Sequence, residues 1–286
     1  MAKRITNSGA YPVGGFLELS KLLMMGIISS LSLTACSPGN PSDIKGSYDS
    51  IVGGSQVLFT DKIRTSIVGV YDDAGGQLCT GTLIAENIVI TAAHCIGFST
   101  EDMYIIFDTV ITSKSPRRKV DTVEVSPYWT SRRYEDKDRG DLAIIRFLGS
   151  RPQGYKPARF LSGPENVANG VETVVAGYGY NNAAAESGAG TLRQTSVVIA
   201  DTLFSTTEVL IDQTTGKGSC HGDSGGPAFL EIKGEFFLWG VTARGVGDVN
   251  HLCNTYSAFT NLAAHKNWVN RMLKRLSKPI NSIDIR

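Results

Sequence analysis

From residue 51 onward the chain is cut into short runs of β-forming residues, each closed off by a turn residue. The runs 66–71, 82–84, 87–91, 104–107, 142–147, 171–176, 196–200 and 236–243 are rich in Val, Ile, Phe or Thr, and Gly, Asp, Asn or Pro bounds each one. Runs this short cannot complete stable helices, and many of them at close spacing predict an all-β barrel or sandwich. Spacing does not choose between the two. One helix is expected, at about 263–276. There Trp268, Val269, Met272, Leu273 and Leu276 recur at helical spacing, with Lys266, Asn270, Arg271 and Lys274 on the other face. No internal repeat is visible.

With 286 residues, 42% of them hydrophobic, the chain can bury a sizeable core, and a β-rich protein can use most of that length in one compact unit. The formal net charge is +1. The basic clusters Arg117-Arg118-Lys119 and Arg132-Arg133 are sparse and read as solvated loops, so nucleic acid is not an expected partner.

The first 50 residues differ in character. Residues 22–35 form an apolar, hydroxyl-dotted run preceded by Lys21 and, earlier, by Lys3 and Arg4. It is shorter than the roughly 20 residues a membrane span needs, and its length suits the core of a secretory signal. Leu33-Thr34-Ala35-Cys36 resembles a bacterial lipobox, in which the cysteine is acylated and becomes the mature N-terminus. The stretch before Lys21 is long for a signal's basic region and points to a start downstream of Met1. Residues 1–35 are therefore expected to be a lipoprotein-type signal peptide. Residues 36–50, rich in Pro, Gly and Ser, form a propeptide or tether too poor in apolar residues to fold. Residues 51–286 make the folded domain.

Chemistry concentrates in four segments. Gly222-Asp223-Ser224-Gly225-Gly226-Pro227 sets a hydroxyl among small residues that let a substrate approach the backbone. A serine hydroxyl is a weak nucleophile until a base takes its proton. Thr91-Ala92-Ala93-His94-Cys95 supplies a candidate base, and Asp141-Leu142-Ala143-Ile144 a candidate group to orient it. Ile51-Val52-Gly53-Gly54 opens the region. Each segment alone has an ordinary reading, as a buried histidine or a turn before a strand. The cysteines fall in brackets, with Cys79 and Cys95 around the histidine segment and Cys220 and Cys253 around Ser224. Even pairs of this kind suit disulfides in an oxidising compartment.

Together, and in this order, the four segments resemble the trypsin/chymotrypsin-like serine proteases, from Ile51 to about Leu276. The order His, Asp, Ser sets this arrangement apart from those of the α/β-hydrolases and subtilisins. The resemblance implies two six-stranded antiparallel β-barrels, divided near 150–165, with the active site in the cleft between them. Ser224 would be the nucleophile, His94 the proton shuttle and Asp141 its orienter. The backbone N–H groups of Gly222 and Ser224 would form the oxyanion hole. Cys79–Cys95 and Cys220–Cys253 are the implied bridges. Asp223 would be costly to bury unless paired. The family pairs such a residue with the amino group freed when a propeptide is cut, which here means Ile51. The uncut chain would then be a zymogen needing an activating protease. Polypeptides are the implied substrates, with no metal or cofactor, and membrane attachment only through a lipid on Cys36.

The match has departures. Where trypsins carry an aspartate at the base of the primary pocket, this chain has Gly218, followed by Ser219. Gly245 would line one wall and Ser257 the side opposite. Arg244 stands where the family has tryptophan, either favouring an acidic substrate side chain or pointing to solvent. Tyr48-Asp49-Ser50 precedes Ile51, so a trypsin-like activator has no basic residue to read. The expected preference is for a neutral residue, apolar or aromatic, before the scissile bond. His221 is assigned no role. Two further readings are a non-catalytic binding protein on the same fold and a protease dedicated to one regulatory cleavage. Loss of a member of the triad would favour the binding protein, and this chain keeps all three.

Overall fold

A computed structural model describes residues 51–97, 99–129 and 137–277. The expected signal peptide and tether, with Cys36, lie outside these residues, as do Arg132 and Arg133. Fourteen strands are present among the described residues: β1 (Ser55–Gln56), β2 (Ile67–Asp72), β3 (Gln77–Ala85), β4 (Ile88–Thr91), β5 (Met103–Ile106), β6 (Arg117–Val125), β7 (Ala143–Phe147), β8 (Arg159–Phe160), β9 (Glu172–Gly177), β10 (Arg193–Asp201), β11 (Glu208–Asp212), β12 (Pro227–Ile232), β13 (Glu235–Val246) and β14 (Tyr256–Asn261). Among these residues one α-helix, α1, spans Lys266–Leu276.

Pairing decides what spacing could not. Strands β2-β3-β4-β7-β6-β5 close on themselves as an antiparallel barrel. Strands β10-β11-β14-β13-β12-β9 close as a second, since β9 also pairs with β10. The short strand β1 adds to β10, and β8 pairs in parallel with β13. Two closed six-stranded barrels with one C-terminal helix are a chymotrypsin-like fold. Closure removes the open edges that such apolar strands would otherwise expose.

Side-chain period explains the inside of each barrel. In β10, Thr195, Val197 and Ile199 are buried while Ser196 and Val198 alternate outward. β4 (IVIT) is buried throughout, because its outer face meets the rest of the molecule. One apolar cluster fills the first barrel, around Val70, Leu83, Met103, Ile145 and Phe147. Another fills the second, around Val197, Ile211, Trp239 and Phe259. A third joins them, running from Ile67 and Ile90 through Tyr178 and Phe229 to Trp268, Val269 and Leu276 of α1. That shared cluster fixes one barrel against the other and so sets the cleft between them.

Candidate active site

The site is assembled from loops at the ends of strands on both barrels. Just past the end of β4, the backbone tightens into a short 3-10 turn, Ala93–Cys95, that carries His94. Asp141 lies two residues before β7, which pairs directly with β4. The pairing of Thr91 with Ala143 therefore brings base and carboxylate together. His94 Nδ1 lies 2.7 Å from Asp141 Oδ2, and the His94 backbone N–H donates to Asp141 Oδ1 at 3.0 Å. A carboxylate only accepts, so Nδ1 carries the proton and Nε2 is left as the acceptor. The Asp141 side chain is almost fully buried, whereas His94 is about a third exposed toward the cleft.

Ser224 enters the same cleft from the second barrel. Its loop needs glycine. Gly222 and Gly225 have φ of 95° and 79°, and a Cβ on Gly225 would stand 2.0 Å from Thr91 Oγ1. One residue of the first barrel holds two carbonyls of the loop. Thr80 on β3 donates its hydroxyl to the Gly222 carbonyl at 2.9 Å and its N–H to the Ser224 carbonyl at 2.9 Å. Its own carbonyl accepts from Thr91 Oγ1, and its hydroxyl oxygen accepts from Tyr178 N–H. The peptides that carry the Gly222 and Ser224 N–H groups are held through their own carbonyls, His221 accepting from Tyr180 N–H and Asp223 from Gly226 N–H, each at 2.8 Å. Those two N–H groups have no acceptor among the described residues. Two uncommitted donors beside a hydroxyl can receive a developing oxyanion. Sequence reasoning missed Thr80. Its position next to Cys79 was the only available signal.

Asp223 is buried at 1% exposure. Its oxygens accept from Gly179 N–H and Cys220 N–H, each at 2.8 Å. Burial pushes its carboxyl up to about 7, against the pull of those two bonds and of the Arg193 charge. Ile51 is also buried, packing with Val175, Ile199 and Ile211 inside the second barrel. The next residue, Val52, bridges to Gly218, the position that the family resemblance assigns to the base of the primary pocket.

The cleft holds about 380 Å³ and is lined by His94, Asp141 and Ser224 with Ser219, Arg244, Gly245 and Ser257. Gly245 and Ser257 are cross-strand partners on β13 and β14. A β-bulge between Thr242 and Arg244 turns the wall here. Arg244 is neither a free reader of acidic residues nor a solvent-facing side chain. Its guanidinium pairs bidentately with Glu208, at 2.6 and 2.9 Å, and the Glu208 side chain is fully buried. Glu208 also accepts from the backbone N–H groups of Asp138 and Arg139, just ahead of Asp141. Asp138 in turn accepts from Thr206 and Thr207. Burial opposes its ionisation, but these bonds prevail and bring its carboxyl down to about 2. Trp129 stands beside His94, with ring centroids 6.5 Å apart, and His221 lies on the rim near Tyr180 and His251.

Disulfides join Cys79 to Cys95 and Cys220 to Cys253. The first staples the His94 turn to β3, and the second ties the Ser224 loop to the far wall of the pocket. The groupings Cys79–His94–Cys95 and Cys220–His221–Cys253 bring three potential ligand atoms together. Their sulfurs are committed to the bridges and offer no thiolate to a metal.

A family model described as Trypsin matches residues 51–269. The chain belongs to the trypsin-like serine protease family. Relatives include chymotrypsin-like elastase family member 1 of the dog, 25% identical over 81% of this chain and 95% of the relative. The human protein of the same name is 25% identical over 68% of this chain and 81% of its own length. That of Macaca fascicularis is 25% identical over 68% and 78%.

Proposed function

We propose that the protein is a secreted serine endopeptidase that works through an acyl-enzyme. The observation that carries this reading is the His94–Asp141 pair facing the same cleft as Ser224 and two unused backbone donors. His94 Nε2 takes the Ser224 proton as Oγ attacks the scissile carbonyl, and the N–H groups of Gly222 and Ser224 receive the oxyanion. Asp141 holds the imidazole in the tautomer needed and stabilises the imidazolium formed. His94 then gives its proton to the departing amine. Water, deprotonated by the same nitrogen, cleaves the acyl-enzyme and regenerates the Ser224 hydroxyl.

The protein is made as a bacterial lipoprotein precursor, anchored in the envelope through Cys36. A protease cuts the Ser50–Ile51 bond, and the new amino group pairs with Asp223, neutralising a buried carboxyl that otherwise holds its proton up to about pH 7. Without a carboxylate at position 218, the primary pocket takes neutral residues rather than Lys or Arg. A fluorophosphonate probe tests the reading: it should label the processed protein on Ser224, and Ser224→Ala should remove labelling and lower turnover by ~10⁴–10⁶. Undiminished hydrolysis by that variant would reject the assignment.

A further inference from the structure

Gly218 contributes no side chain to the pocket floor, and Gln213 occupies that space. A Cβ on residue 218 would stand 2.3 Å from Gln213 Cδ. Gln213, one residue past β11, is 1% exposed, and all four hydrogen-bonding positions of its amide are taken. Nε2 donates to the carbonyls of Ser219 and Cys253 at 3.0 and 3.2 Å. Oε1 accepts from the Ser219 N–H at 2.8 Å and from the Ser219 hydroxyl at 2.9 Å. Two carbonyls at one end and an N–H at the other fix which way the amide faces.

The rest follows from counting protons. Ser219 has one hydroxyl proton, and Gln213 Oε1 receives it. The 2.9 Å contact between Ser219 Oγ and Ser257 Oγ must then take its proton from Ser257. Every donor on the floor is thus directed inward along the relay Ser257, Ser219, Gln213. What the two hydroxyl oxygens retain is lone pairs. The charged groups near the floor are already engaged. Arg244 pairs with Glu208, and the Asp248 carboxylate accepts from Leu252 and Cys253 N–H.

We infer that Gln213 sets the hydrogen-bond polarity of the primary pocket, so that the preferred residue before the scissile bond is a neutral side chain bearing a hydroxyl or carboxamide donor. The inference rests on the endopeptidase reading and narrows its substrate class. A carboxylate would trade water for lone pairs, and a Lys or Arg would be desolvated without a counter-charge. An apolar side chain would leave the Ser257 lone pairs dry. A donor satisfies them.

Peptides matched except at that residue test this, assayed on the full chain and on the form beginning at Ile51, with active sites counted by fluorophosphonate labelling. Thr should exceed Val, and Gln should exceed Leu, by ~10-fold in kcat/KM, with Glu and Arg below both. Ser219→Ala releases the Ser257 proton toward the pocket, so the Thr:Val ratio should fall toward one and the Glu:Thr ratio should rise ~10-fold. Ser257→Ala, which leaves the Gln213 amide bonds in place, should also bring the Thr:Val ratio toward one. Labelled enzyme that cleaves after Val and Leu as well as after Thr and Gln overturns this inference alone, as do ratios unmoved in both variants. Absence of both labelling and cleavage overturns the endopeptidase reading and this inference with it.

Discussion

Thr80 does for the oxyanion hole what Asp141 does for His94. It touches no substrate, yet its hydroxyl and N–H hold the Gly222 and Ser224 carbonyls, on the two peptides that flank the Asp223–Ser224 bond, and so fix the loop that presents the Gly222 and Ser224 N–H groups. Removing the hydroxyl while keeping the shape, in Thr80→Val, frees the Gly222 carbonyl and loosens the Gly222–Asp223 peptide, which lies between the peptides that carry the two donors. The expected result is a fall in kcat of ~10–10³ with KM little changed, since an oxyanion donor acts mainly in the transition state. Thr80→Ser should restore most of it. Steady-state kinetics of the three forms decides the point, and a rise in KM alone would assign Thr80 a purely structural part.

At the scale of elements, the cleft wall and the Asp141 loop are tied through one buried carboxylate. Glu208 at the start of β11 binds Arg244 of β13 and the peptides before Asp141. Arg244→Met leaves that carboxylate buried without its guanidinium, which should cost ~3–5 kcal/mol in a urea titration. The double variant Glu208→Gln with Arg244→Met should recover much of the loss. Additive losses would mean that the two side chains are not coupled. This pair also shows how a local reading goes astray. Arg244 replaces a tryptophan of the family, and the sequence offered it a role in substrate choice. Its partner lies 36 positions away in sequence and becomes visible only when β11, β14 and β13 are paired.

For the whole molecule, processing before Ile51 should change both location and pH response. The four cysteines of the folded domain are bridged among themselves, so nothing covalent would retain the Cys36 segment after the cut. Detergent partitioning should find the precursor with the lipid phase and the active form, starting at Ile51, in the aqueous phase. Fully active enzyme still carrying Cys36 would rule the coupling out. In the uncut chain, where the Ile51 nitrogen is a neutral amide, the Asp223 pKa is raised to about 7 from its ordinary 3.8. The unfolded state then loses this proton first, so stability should fall as pH rises from ~4 to ~7 and level off above. Asp223→Asn should flatten that slope in thermal melts. After processing, the proposed pairing with Asp223 would raise the amino group's ordinary pKa of ~7.7–8.0. Its stabilisation is then complete below that range and lost as pH rises through the raised value. Activity of the processed enzyme should fail at alkaline pH, and an alkaline limb absent from its profile would count against the pair.

The sequence by itself determined the all-β class, the C-terminal helix and the family, because period-two runs, turn residues and short motifs are local features of the chain. Glycines at 222 and 225 could be read as making room around Ser224, since glycine's freedom is its own property. Tertiary structure decided what depends on distant partners. Barrel closure, which strand spacing left open and only the family resemblance implied, is made in the second half by the pairing of β9 with both β10 and β12. The fate of Arg244, the clamp made by Thr80 and the floor made by Gln213 came from contacts across strands and loops. Gly218 marks the boundary: the missing carboxylate was plain in the sequence, but what fills its place was not. A hydrogen-bond donor's direction is fixed by its neighbours in space, and those neighbours exist only once the chain has folded.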